Sequence, residues 1–143
     1  MIGVKPYIAF QGNCKEAFDF YKDAMNAEVQ GMMSYGESPM AGQGNDDNIM
    51  HAVLKIGDTI IMAADSMSDQ HPITVGNNIS LAVGVDSAEQ AESMFANMSE
   101  GGTVTMPIQE TFWATRFGML TDKFGINWMF NCEKPHGDGE HGE

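Results

Sequence analysis

GGTVTMPIQETFWATRFGMLTDKFGINWMFN, residues 101–131, is the stretch whose reading decides the fold. The runs TVTMPIQ (103–109), TRFGMLTD (115–122) and INWMFNC (126–132) are rich in β-branched and aromatic residues and read as strands. Between the last two, DKFG (122–125) has Asp at the first turn position and Gly at the fourth, which suits a tight turn. One face of such a sheet must meet a helix, and the other is free to line a cavity.

Just upstream, ISLAVGV (79–85) reads as a strand and DSAEQAESMFANMSEGG as a helix. Ser87 with Gln90 forms a capping box, Ala88, Ala91, Met94, Phe95 and Met98 form the apolar stripe, and Gly101 stops the helix. The first half follows the same plan. VKPYIAF (4–10) is an early or edge strand with Pro6 near its start. In GNCKEAFDFYKDAMN, Asn13 and Glu16 resemble a cap, and Ala17, Phe18, Tyr21, Ala24 and Met25 recur at helical spacing. EVQGMMSY (28–35) is a strand with Val29, Gly31, Met33 and Tyr35 on one face. GESPMAGQGNDDN (36–48) is a loop by composition, and IMHAVLKI (49–56) and TIIMAAD (59–65) are strands joined by the turn GD (57–58). A linker, SMSDQHPITVGNN (66–78), separates the halves. A shift of 73 residues carries Ala9 onto Ala82, Glu16 onto Glu89 and Met25 onto Met98. The expectation is an α+β fold of two βαβββ modules, residues 4–65 and 79–132, within one domain of residues 1–132. EKPHGDGEHGE (133–143) reads as a disordered acidic tail.

Twenty acidic residues face seven basic ones, a formal charge of −13, which argues against nucleic acid or an anionic membrane as partner. No segment has 18 uninterrupted apolar residues, so no membrane span is expected, and MIGVKPYIAF does not read as a signal peptide. Cys14 and Cys132 are too few for a disulfide framework and read as free thiols in a reducing cytoplasm, with a single bridge between them as the alternative. The thirteen Met read chiefly as core filling, with adaptable pocket lining as the other use. No GxSxG, Walker loop, CxxC or HExxH is present.

Taken in order, GNCKEAFDFYKDAMNAE, IMHAVLKIGDTIIMAAD, GNNISLAV and GGTVTMPIQETFW…FGMLTDKFGINWMFN resemble the PhnB-like proteins of the glyoxalase/bleomycin-resistance/dioxygenase (vicinal oxygen chelate) superfamily. The resemblance covers residues 4–132. It implies sheets curled round a cavity, and a homodimer. It leaves the activity open, since members of the superfamily isomerise, cleave aromatic rings, open epoxides or only bind drugs. Some PhnB-like proteins are described as demethylubiquinone methyltransferases, but this chain has no GxGxG loop after a strand to seat a methyl donor.

Superfamily enzymes hold a divalent metal with His and Glu on the cavity face. By alternation His51 and Val53 point there, with Asn78 and Ser80 from the first strand of the second module and Lys5, Tyr7 and Ala9 from the corresponding strand of the first. The family's Glu position falls at or beside Met129, flanked by Asn127 and Asn131. His51 is thus the sole good metal ligand, so no cofactor is expected and a divalent metal is disfavoured. His51 reads as a hydrogen-bonded wall residue beside Trp113 or Trp128, a pocket base, or a metal ligand. Glu37 and Glu110 are candidate bases if apolar neighbours raise their pKa values, and otherwise solvated loop carboxylates. Arg116 is a candidate anchor for an anionic group, or a surface ion-pair partner. Phe112, Trp113, Phe117 and Trp128 are candidates for stacking a flat ligand, or for packing. His71, His136 and His141 fall in the linker and tail. The sequence therefore favours a binder of a small molecule in an aromatic-lined cavity. A metal-dependent lyase, isomerase or dioxygenase and a structural or interaction protein are the alternatives.

Overall fold

The computed structural model describes residues 2–66 and 72–135. The chain falls into two compact units, Met1–Thr74 and Val75–Glu143. In the first, β1 (Tyr7–Phe10) is followed by α1 (Cys14–Met25), β2 (Glu28–Ser34), a single 3-10 turn (Tyr35–Glu37), β3 (Ile49–Ile56) and β4 (Thr59–Asp65). In the second, β5 (Leu81–Gly84) is followed by α2 (Ala88–Ser99), β6 (Thr103–Gln109), β7 (Ala114–Thr121) and β8 (Asn127–Glu133). Each module builds its own four-stranded mixed sheet, ordered β1-β4-β3-β2 and β5-β8-β7-β6. In both, the outer first strand runs parallel to the last and the other pairs are antiparallel. The repeat read from the sequence is therefore a repeat of topology. One fixed shift does not serve throughout, because residues 35–48 join β2 to β3 whereas residues 110–113 join β6 to β7.

One helix covers one face of each sheet. The stripe Ala17, Phe18, Tyr21, Ala24 and Met25 is buried, with Cys14, and α1 packs on β2, β3 and β4. Ala52, Leu54, Ile61 and Ala63 meet it from the sheet. In the second unit Ala91, Phe95 and Met98 of α2 are buried, and the ring of Phe95 stands edge-on to Phe130 at 6.1 Å. Burial of each such large side chain contributes about 1.5–3 kcal/mol. Gly118 lies under α2, where a Cβ would come 2.7 Å from the Phe95 ring.

The helix starts differ from expectation in an instructive way. Ser87 does cap α2, accepting from the Gln90 amide at 3.1 Å, while Gln90 Oε1 accepts from the Asp86 amide rather than that of Ser87. Asn13 makes no side-chain cap of α1. The cap comes from β4: Asp65 Oδ1 accepts from the amides of Gly12 (2.8 Å) and Cys14 (3.0 Å). Its Oδ2 accepts from the Ile49 amide at 2.7 Å, and its backbone carbonyl from the Tyr35 hydroxyl at 3.1 Å. Asp65 is buried, so a single carboxylate ties the start of α1, the start of β3 and the turn after β2 to the end of β4.

Three local expectations are corrected. β1 begins at Tyr7, with Val4 fully in solvent before it. A bulge in β2 sets Val29 opposite Leu54 but Gly31 opposite Val53, so the two lie on opposite faces, and Tyr35 has left the strand. β5 begins at Leu81, so Ile79, expected against the helix, is 73% exposed. The DKFG turn forms as read: the Gly125 amide donates to the Asp122 carbonyl, and Gly125 adopts φ +91°. The expected tail disorder concerns residues that lie, from 136 on, outside the described ones.

Replacing Asp65 should therefore cost far more than an ordinary surface carboxylate. Asp65→Ala leaves three backbone donors without an acceptor and should lower unfolding free energy by about 4 kcal/mol or more. Asp65→Asn keeps one acceptor oxygen and should cost about 2 kcal/mol. Urea unfolding of the two variants, followed by circular dichroism, measures both.

Candidate functional sites on the open sheet faces

In β3, Ala52 and Leu54 point into the core, so His51 and Val53 point to the face that α1 does not cover. Register places their neighbours. Tyr7, Met62, Val53 and Gly31 form one row across β1, β4, β3 and β2, and Met33 pairs with His51 in the next. Tyr7 is 58% exposed and Met33 is also exposed. Tyr7 and His51 thus share the open face of the first sheet, as the alternation predicts. His51 is exposed and makes no hydrogen bond among the described residues, against the expectation of a bonded wall histidine.

The second sheet has an equivalent face. Ala82, Met129, Met119 and Met106 form one row, and Gly84, Asn131, Phe117 and Gln109 another. Phe117 continues into an aromatic cluster at the β6–β7 turn. Its ring centroid lies 5.3 Å from Trp113, which stands 4.8 Å from Phe112. Trp113 is 45% exposed and Phe112 is 88% exposed. The cluster rests on a turn closed by the Thr111 amide donating to the Ala114 carbonyl and the Ala114 amide donating to Thr111 Oγ1.

Several candidates leave these faces. Trp128 alternates with Met129 and lies on the helix side, 1% exposed, its indole N–H donating to Asp122 Oδ2 at 2.9 Å. It is core, not wall. Arg116 pairs with Cys132 in register and reaches α2, where its Nε donates to Glu92 Oε2 at 2.7 Å. It is on the face opposite Phe117, so it does not anchor a ligand beside that ring. Asn78 precedes β5 in a bend and is not a strand residue. Glu110 is exposed and ion-paired to Lys134 at 3.1 Å. Glu37 accepts from the Ser34 amide (2.9 Å) and hydroxyl (3.1 Å), and these bonds pull its pKa down. That is the reverse of the shift a general base needs at neutral pH. Asp65 and Asp122 are the buried carboxylates that sequence reading passed over. Their signal was an acid closing an apolar strand, in MAAD and in MLTD.

Superfamily metal chemistry needs several convergent hard or borderline donors. Among the described residues no group of three or more His, Cys, Asp or Glu is placed to hold a metal ion. The open faces offer one imidazole, a phenol, amides and thioethers, which do not fit a divalent ion. His71, His136 and His141 lie outside the described residues.

A family model described as 3-demethylubiquinone-9 3-methyltransferase matches residues 3–130. The chain belongs to this PhnB-like family. Protein PA1353 from Pseudomonas aeruginosa is 40% identical, with a TM-score of 0.86 over 94% of this chain and 100% of that one. A putative 3-demethylubiquinone-9 3-methyltransferase, PhnB protein, from Bacillus cereus is 25% identical, with a TM-score of 0.79 over 92% and 99%. Protein YjdN of Escherichia coli (strain K12) is 34% identical across 92% of this chain and 95% of its own. The same fold is seen at far lower identity in the fosfomycin resistance protein FosX from Listeria monocytogenes, 13% identical with a TM-score of 0.64, and in a glyoxylase/bleomycin resistance protein/dioxygenase domain from Frankia sp. EAN1pec, 14% identical with a TM-score of 0.65.

Cys14 sits at the start of α1, where a helix dipole would favour a thiolate. Burial overrides this, and the Asp65 carboxylate adds to it: the thiol is pushed up to about 12. Cys14 should resist iodoacetamide at pH 8 in the native protein and react once urea unfolds it, as mass spectrometry of the alkylated peptide would show. An acid whose folded pKa is raised binds its proton more tightly folded than unfolded. Its contribution is therefore present below the unfolded value near 9 and is lost as pH rises toward 12.

Proposed function

We propose that this PhnB-like protein binds a small, largely apolar molecule on the open faces of its sheets, without a tight metal site. The observation that carries this reading is the exposed apolar surface on those faces and at their edge: Tyr7, Met33, Met106, Phe112 and Trp113. A protein that leaves such side chains in water has something to put against them. Thioethers and aromatic rings adapt to flat or irregular ligands. A methyltransferase reading lacks support from the helix start after β1. The Gln11-Gly12-Asn13 turn has a single glycine, and the amides of Gly12 and Cys14 are already taken by Asp65.

A second reading keeps chemistry at His51. An exposed imidazole free of hydrogen bonds on an open face is available as a base, or as one ligand of a metal. Elemental analysis of untagged protein purified without chelator separates the two. The binder reading expects well under one transition metal per chain. It also expects hydrophobic small molecules from a fragment screen to quench Trp113 fluorescence, with affinity reduced in Trp113→Ala. About one metal per chain, lost in His51→Ala, would replace it with a metal-dependent lyase, isomerase or dioxygenase.

The same exposed side chains support a homodimer, and buried free thiols at Cys14 and Cys132 suit a reducing cytoplasm. Sedimentation equilibrium at micromolar concentration should give about twice the 15.6 kDa chain mass, and the single chain mass would refute the dimer.

A further inference from the structure

β6 is an outer strand of the second sheet, with β7 alone beside it. Six of its seven residues are exposed, all but Ile108. A helix covers one side of this sheet, yet β6 is bare on both. Val104 pairs with Leu120, a core residue, and Met106 with Met119 on the open face. A slip in register sets them on opposite sides and leaves Thr105 between them with no partner on β7. A strand exposed on both faces and along one edge is a ready template for another chain.

Charge narrows what attaches there. The protein carries a formal −13, so two copies repel wherever their acids are brought together. The exposed side of α1 carries Glu16, Asp19 and Asp23, and that of α2 Glu89 and Glu92. No residue from 101 to 109 is charged, and Glu110 just beyond is ion-paired to Lys134. A basic partner would be drawn to the acidic helices, since β6 offers it no acid to pair with. A second copy meets the least repulsion at β6. The other outer strands fit less well. β1 and β5 have four residues each, and β2 starts at the exposed Glu28 and exposes three of its seven residues.

We infer that β6 is the surface through which two copies of this chain join, related by a two-fold axis near Thr105, with Val104 and Met106 packed on either side. This rests on the homodimer reading above and names its surface. Pro107 lacks an N–H and the slip at Thr105 interrupts the ladder, so side chains rather than a continuous backbone ladder make the contact. A two-fold contact brings a residue near the axis against its own copy.

Sedimentation equilibrium of the full-length chain reads this contact. Thr105→Glu and Thr105→Lys each set like charges against each other across the axis and should weaken self-association at least about tenfold. An equal mixture of the two should recover it, because Glu then faces Lys. High salt should restore part of the loss in either variant alone. Gln30→Glu, on β2, should leave self-association unchanged. Circular dichroism matching that of the wild type should show all three variants folded, since both positions are exposed. Hydrogen exchange of the wild type needs no substitution: raising its concentration should slow amide exchange across residues 103–109 and leave 28–34 unchanged. Self-association that survives both Thr105 variants, no recovery in their mixture, or protection at 28–34 in place of 103–109 overturns the inference and leaves the homodimer reading standing. A wild type of single chain mass at every concentration overturns both.

Discussion

The carboxylate of Asp65 is the constraint on which the first module depends. A four-residue strand, a helix and a hairpin must be joined with their polar ends inside. The first amides of a helix have no partner within it, and burying them bare is costly. Asp65 meets that need for Gly12 and Cys14, and serves Ile49 with its other oxygen. Its charge, near Cys14, adds to burial in keeping that thiol protonated. One buried acid thereby positions α1, the edge strand β1 and the β3 strand that bears His51.

The second module solves the same problem with different parts. α2 carries its own cap in Ser87 and Gln90, so its buried acid is free for another task. Asp122 closes the β7–β8 turn, accepting from the amides of Phe124 and Ile126, and takes the indole N–H of Trp128. That last bond lets a large aromatic with a polar edge sit in the core, and it removes Trp128 from the open face. The two modules share topology while their internal polar networks have diverged, as expected when a fold is held by apolar pattern and each network needs only local consistency.

The faces the helices do not cover are what this architecture presents outward. Each strand of the sheets alternates, so every residue pinned against a helix sends its neighbours the other way. The core side therefore determines which side chains are offered outward: Tyr7, His51, Val53 and Met62 in one module, Met106, Phe117, Met119, Met129 and Asn131 in the other. The donors are soft, amide or aromatic, apart from one imidazole. Such a surface recognises shape and a few hydrogen bonds more readily than it holds a hard ion.

Periodicity made most of the fold legible. The helical stripes, the strands TVTMPIQ, IMHAVLKI and TIIMAAD, and the repeated order of elements follow from spacings of 3.6 and 2, which report how each residue relates to its near neighbours. The placing of His51 and Tyr7 on the open face, and of the DKFG turn, came from the same local rules. Tertiary structure decided everything that depends on residues far apart in the chain. Asp65 lies 51 residues from the Cys14 amide it caps, and Arg116 lies 24 from the Glu92 that draws it to the helix side. The bulge that turns Val29 from Gly31 is set by pairing with β3. A side chain's partner is fixed by packing across the sheet rather than by spacing along the chain. The sequence by itself therefore determined the elements and their inner faces, and only the fold decided which polar groups were consumed holding it together and which were left facing outward.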